Sequence, residues 1–198
     1  MAVLGYIRIL EGTHVMAWTS KRRVMHAYNV TAEIYDERYS EEQQRKYRKA
    51  LENVDVADDA VLDVGCGSGL FFSQVASKAK IVVGVDVSLG LLKKANEQAK
   101  VFRNVFVLQA DADHLPFREG VFGGGVFAFT VLQNMPKPAQ TLLELRRVAK
   151  GSGKIVVTGL KKAFRLEEFM DLLEGSGMPI SAFVDEEAIN CYLATLTA

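Results

Sequence analysis

From residue 60 onward the chain alternates short, unbroken apolar runs with longer amphipathic stretches. Ala60 to Val64, Ile81 to Asp86, Val105 to Gln109, Phe122 to Phe129 and Lys154 to Thr158 read as strands. Their near-continuous apolar character suits strands covered on both faces. Between them, apolar residues recur at helical spacing. Leu70, Phe71, Val75 and Ala76 stripe a helix over 69–78. Ser88 caps the next, in which Leu91, Leu92, Ala95 and Ala99 line one face. Leu142, Leu145 and Val148 stripe a helix over 136–150, which Gly151-Ser152-Gly153 ends. A last helix is expected over 165–174. Ser181 to Val184 and Asn190 to Thr195 are separated by too few residues for a parallel crossover, so they are expected to pair antiparallel.

Upstream, residues 28–53 are charged and helical in composition, with Ser40-Glu41-Glu42-Gln43 resembling a capped helix start. Strand–helix alternation predicts an α/β fold, a doubly wound parallel sheet with right-handed crossovers and helices on both faces. Ligands then bind at the carboxyl ends of the strands, near a topological switch point. A single domain is expected over 25–198. Residues 1–24 carry a short apolar run, Val3 to Leu10, and the basic triplet Lys21-Arg22-Arg23. They are expected to form a peripheral arm or an extension preceding a start at Met16 or Met25.

Composition narrows the function classes. Lys plus Arg and Asp plus Glu number 24 each, so no global basic field draws the chain to nucleic acid, although local basic patches leave that partner open. No apolar run is long enough to span a bilayer. The two cysteines, Cys66 and Cys191, lack the spacing of a zinc site or a disulfide framework, which suits reduced thiols in a cytoplasmic protein.

The chemistry concentrates in Asp63-Val64-Gly65-Cys66-Gly67-Ser68-Gly69. A strand entering a helix through alternating glycines lets a ligand approach backbone N–H groups, though a tight turn alone also needs glycine. The spacing differs from the dinucleotide fingerprint, and the acid ahead of the first glycine suits a nearby cation better than a pyrophosphate. Asp86, closing the second strand, is placed to accept from both hydroxyls of a ribose.

Together with Asp111-Ala112-Asp113-His114-Leu115-Pro116-Phe117, these motifs resemble the class I S-adenosylmethionine-dependent methyltransferases. The resemblance covers roughly residues 28–196. It implies S-adenosylmethionine as cofactor and a Rossmann-like seven-stranded sheet of order 3-2-1-4-5-7-6 with strand 7 antiparallel. It further implies that Gly65, Cys66, Gly67 and Gly69 admit the methionine part, that Asp63 meets its amine directly or through water, and that Asp86 with Val87 holds the ribose. Asp111 would accept from the adenine amino group, the Ala112 N–H would meet a ring nitrogen, and Phe129 and Thr130 would line the cofactor. In such proteins a Tyr-Asp segment near the N-terminus covers the cofactor. Tyr35 and Tyr39 are the candidates here, with packing onto the sheet as the other reading.

Catalytic residues stay open. Gln133 and Asn134 either face the methyl acceptor or cap the following helix. His114, then His26, is a base only if the acceptor is protonated, and otherwise is structural. The Asn/Asp-Pro-Pro-aromatic run used for amino and amide methylation is absent after the fourth strand, as is a cysteine nucleophile near a proline. What remains is direct transfer by proximity and alignment. A small-molecule acceptor is favoured. The alternatives are an RNA or protein acceptor, with a small activator protein on the edge of the very apolar third strand, and cofactor binding without catalysis.

Overall fold

The computed structural model describes residues 19, 21–23, 25–26 and 35–198, with side chains from Gln43 onward in the long stretch. The apolar run Val3 to Leu10 lies outside the described residues. Helix α1 (Tyr35–Leu51) is followed by β1 (Ala60–Val64), α2 (Phe72–Val75), β2 (Ile81–Asp86), α3 (Leu89–Ala99) and β3 (Val105–Gln109). Then come β4 (Val126–Ala128), a 3₁₀ turn (Leu132–Asn134), α4 (Pro138–Val148), β5 (Lys154–Leu160), α5 (Leu166–Glu174), β6 (Ile180–Val184) and β7 (Cys191–Thr197).

One seven-stranded sheet of order β3-β2-β1-β4-β5-β7-β6 results. Strands β3, β2, β1, β4 and β5 are parallel to their neighbours. Strand β7 inserts antiparallel between β5 and β6, the hairpin that the short 185–190 connection requires. The sheet separates two apolar layers. On one face Val61, Val82 and Phe127 pack with Tyr47, Phe71, Phe72 and Leu92. On the other, Leu62, Val64, Val85 and Ile155 pack with Leu142, Leu145, Phe169 and Leu173. Among the described residues strand β3 is an edge with its second side unpaired, and Phe106 and Leu108 stand exposed on it at 55% and 43%.

Several boundaries differ from those read from the sequence. Helix α1 as described already runs from Tyr35 through Leu51, so Ser40 is an interior residue rather than a cap; between 35 and 51 neither Gly nor Pro interrupts it. Helix α2 is only four residues, because the chain spends 65–71 in the glycine turn. Strand β4 keeps three residues: Gly125 sits at φ 110°, which bends the chain before Val126. Helix α4 starts at Pro138 after the 3₁₀ turn, with proline in its first turn, where a missing N–H costs nothing.

Candidate functional site

The carboxyl ends of β1, β2, β3 and β4 surround a cleft at the switch between β1 and β4, where the chain leaves the sheet in opposite directions. About 720 Å³ of unfilled space, part of it open to solvent, is lined by Gly65, Gly67, Asp86, Val87, Asp111, Ala112, Phe129, Thr130 and Asn134, among others. A smaller hollow adjoins it across Gly65, Gly67 and Phe129 and takes in Asp63, Cys66, Gln43 and Tyr47.

The glycine turn is built by β2. Gly65 N–H and Cys66 N–H both donate to the Val85 carbonyl, at 2.7 and 2.9 Å. Gly67 N–H donates to Asp86 Oδ2 at 3.0 Å. Gly65 and Gly67 hold φ of 70° and 57°. A Cβ on Gly65 would lie 2.5 Å from Val131 Cγ2, so the β1 turn meets the β4 segment with no room for a side chain. Helix α1 roofs this turn: Tyr47 lies edge-on to Phe129 at 4.9 Å, and Phe129 in turn to Phe71 at 5.2 Å.

Asp86 is 9% exposed and already half used. Its Oδ1 accepts from Ser88 N–H at 2.8 Å and its Oδ2 from Gly67 N–H. Each oxygen keeps a second lone pair, which suits two neighbouring hydroxyl donors. Burial pushes the Asp86 carboxyl above its ordinary range, and the N–H groups of Ser88, Gly67 and Val87 oppose that.

Asp63 lacks such support. It sits one residue before the end of β1 at 2% exposure, and its Oδ2 has no hydrogen-bond partner among the described residues. Burial, and then the Asp86 charge, push its carboxyl up to about 8. A buried carboxyl of this kind holds its proton until a cation arrives to replace it. Across the smaller hollow, Gln43 Oε1 is likewise buried and unpartnered. The pair is an acceptor set for a small cation such as a primary ammonium. Burial, then Asp63 and Asp86, hold the Cys66 thiol far above the usual range, so it lines the turn as a neutral group.

At the β4 end, Thr130 sits at φ 63°, a left-handed conformation rare for a β-branched residue. Its N–H donates to Thr158 Oγ1 at 2.7 Å, and its own Oγ1 is buried without a partner among the described residues. Gln133 Nε2 and Asn134 Nδ2 both donate to the Thr130 carbonyl, at 2.5 and 3.1 Å. Asn134 also lines the cleft; Gln133 does not.

Of the residues singled out from the sequence, Asp63, Gly65, Cys66, Gly67, Asp86, Val87, Asp111, Ala112, Phe129, Thr130 and Asn134 meet around these two spaces. Gly69 shapes the turn from behind, packed on Phe72. His114 is exposed beyond the cleft lining and closes a turn, its N–H donating to the Asp111 carbonyl at 2.9 Å. His26 is exposed. The side chains of Tyr35 and Tyr39 lie outside the described residues. Lys21, Gln43, Val131 and Met135 join the site unannounced. Gln43 carried one signal: with Tyr47 and Ala50 it lies at i, i+4 and i+7 of α1, a polar residue on an apolar face.

Residues 62–157 match the family described as Methyltransferase domain. A demethylmenaquinone methyltransferase from Shouchella clausii is 31% identical over 151 residues, 71% of this chain and 64% of that protein. The chain spans less than two thirds of the length of the first curated relatives it matches. Among solved structures, a SAM-dependent methyltransferase from Aquifex aeolicus superposes with a TM-score of 0.70 at 20% identity, covering 85% of this chain and 97% of that one. The magnesium protoporphyrin IX methyltransferase of Synechocystis, solved with bound SAM, gives 0.74 at 16% identity, covering 90% and 96%. Residues 62–157 thus match a methyltransferase domain, and the fold is that of solved S-adenosylmethionine-dependent methyltransferases.

Proposed function

We propose that the chain transfers a methyl group from S-adenosylmethionine to a small-molecule acceptor by direct displacement. The observation that carries the cofactor reading is the placing of three carboxyls at or beside successive strand ends, Asp86 and Asp111 around the cleft and Asp63 in the smaller hollow that adjoins it, each with acceptor capacity unspent. An ammonium, a ribose diol and an adenine amino group are the three donor groups that S-adenosylmethionine carries. The unpartnered Asp63 and the glycine cradle that a Cβ would fill both fit that molecule.

When bound, the cofactor supplies an electrophilic methyl on a sulfonium. The acceptor's lone pair forms the bond to the methyl carbon while the carbon–sulfur bond breaks and its electron pair stays on sulfur. Asp63 and the 65–69 turn would hold the methionine end, Asp86 and Val87 the ribose, and Asp111 and Ala112 the base. Thr130, Val131, Asn134 and Met135 would then line the approach of the acceptor and exclude water from it. The apolar Val131 and Met135 in this lining, and the small-molecule acceptor in the printed name of the Shouchella relative, favour a small acceptor.

Isothermal titration of S-adenosylmethionine and S-adenosylhomocysteine into wild type and Asp86→Ala tests the cofactor reading. Wild type binds and the variant loses binding; a wild type that binds neither refutes it. Tritiated-methyl transfer into fractionated extract tests the acceptor. Label in small molecules supports the reading, and label confined to RNA or protein overturns its acceptor class.

A further inference from the structure

The cleft holds a cation that the reading above does not use. Lys21 is 8% exposed and reaches in from a segment 90 positions upstream of the residue it meets. Its Nζ donates to Asp111 Oδ1 at 2.7 Å and Oδ2 at 2.8 Å, and also to Asp113 Oδ2. Asp113 is fixed in turn from α4, where the Thr141 hydroxyl donates to its Oδ1. Lys21, Asp111 and Ala112 all line the cleft.

Counting lone pairs shows what this arrangement does. An ammonium has three N–H donors, and here three carboxylate oxygens take them. Lys21 therefore has nothing left to donate to a ligand. Asp111 Oδ1 accepts from Lys21 and from Asp113 N–H at 3.1 Å, so both its lone pairs are used. Asp111 Oδ2 accepts only from Lys21 among the bonds described, which leaves it one lone pair. The carboxylate cannot turn without breaking its contacts with Lys21. It offers a ligand one acceptor and no donor.

We infer that Lys21 is a positioning residue for purine specificity: it locks Asp111 so that one fixed acceptor reads a 6-amino group and repels a 6-oxo group. This rests on the reading of the cleft as the S-adenosylmethionine site. It makes the segment around residue 21 a wall of that site, and it makes selection of adenine over hypoxanthine depend on a residue acting through Asp111.

The test compares S-adenosylhomocysteine with S-inosylhomocysteine, its 6-oxo counterpart, by titration into wild type and Lys21→Met. Wild type prefers the 6-amino ligand strongly. In the variant Asp111 is free to turn away from the purine edge. Affinity for S-adenosylhomocysteine then falls tenfold or more, while the 6-oxo ligand, which never had the contact, changes less than twofold. Equal losses for both ligands would mark Lys21 as merely structural and overturn the inference. So would unchanged or tighter binding of S-adenosylhomocysteine, the latter because Lys21 would then be its competitor. If wild type binds no S-adenosylhomocysteine, the cofactor reading falls and this inference with it, a result distinct from a wild type that binds and a variant that matches it. A measurement on wild type alone guards against a variant that does not fold. Reductive dimethylation should label Lys21 at least tenfold more slowly than the exposed Lys100, and equal rates would overturn the inference.

Discussion

Replacing Asp63 with Asn should stabilise the empty protein at neutral pH while destroying its cofactor site. The carboxyl titrates near 8 in the fold, through burial and then the Asp86 charge, and near 3.9 in the unfolded chain. A group whose folded value is raised gives its full stability below the unfolded value and loses it as pH rises toward the folded one. Between about pH 4 and pH 8 the unfolded chain releases the proton and the fold keeps it. Each pH unit then costs about 1.4 kcal/mol, which reaches about 4 kcal/mol at pH 7. The amide introduced by Asp63→Asn has no proton to keep. It has its own cost, about 1–3 kcal/mol for polar atoms left unpaired, but that cost does not change with pH.

The informative quantity is therefore the change in the difference between wild type and variant. Urea unfolding at pH 5 and pH 7 should show the variant gaining roughly 2.7 kcal/mol on wild type between the two. A gain below about 0.5 kcal/mol would refute the reasoning, because Asp63 would then be ionised in the fold. The same proton has a second readout. If a ligand ammonium replaces it, binding at pH 7 releases close to one proton, seen as a dependence of titration enthalpy on the buffer's ionisation enthalpy. Wild-type affinity should rise about tenfold per pH unit up to about pH 8 and then level off. Buffer-independent enthalpy would place the ammonium elsewhere.

Asp86→Ala removes two charge-assisted acceptors for a ribose, each worth roughly 1.5–3 kcal/mol, and should weaken S-adenosylhomocysteine binding at least about 100-fold by titration. It also orphans Gly67 N–H and Ser88 N–H, so the glycine turn should show faster amide exchange. Thr130→Gly relieves a left-handed conformation that costs a β-branched residue roughly 1–2 kcal/mol, and removes a buried, unpartnered hydroxyl. A gain of about 1 kcal/mol in urea unfolding is expected, together with loss of methyl transfer if the hydroxyl faces the reaction; a destabilised variant would show the strain is absent. Glu144 is held below the ordinary carboxyl range by Arg147 and by Leu115 N–H. That stability is present above the unfolded value and lost as pH falls through the folded one, so Glu144→Gln should flatten the acid limb of the stability curve below about pH 4.5; an unchanged limb would count against the pairing.

What was legible in the sequence is what short stretches enforce by themselves. The turn from β1 needs left-handed residues in close contact with β4, and only glycine satisfies both at Gly65, so the requirement is written in the chain. Asp86 sits at a strand end two residues before a cap, and Ser88 Oγ accepts from Leu91 N–H as the cap rule requires. The antiparallel β6–β7 pair follows from a connection too short for anything else. Element boundaries failed where tertiary contact overrides local pattern. The stripe over 69–78 is helical in period, yet only Phe72–Val75 forms α-helix, since the turn ahead of it is pinned to Val85 and Asp86 instead. Gln133 and Asn134 left two readings because a polar side chain after a strand gives no hint of its acceptor. Both turn back onto the Thr130 carbonyl, a group exposed by Thr130's own unusual backbone.

Lys21 shows the other limit, and the reason is physical. A motif is readable when the residues that cooperate lie within a few positions of one another, as the Asp63 to Gly69 turn does. The Lys21 ammonium works only through partners 90 and 92 positions away. In the sequence it is one of three adjacent basic residues, and Arg22 and Arg23 are exposed. Nothing local separates the buried cation from the solvated ones. The separation comes from the loop after β3, which sets two carboxylates side by side at a cleft wall, one of them 7% exposed. Two such anions are unstable together without a cation between them. That demand is visible at Asp111-Ala112-Asp113 once their burial is known, and it points to the lysine only when the fold has carried residue 21 to the carboxyl end of the sheet.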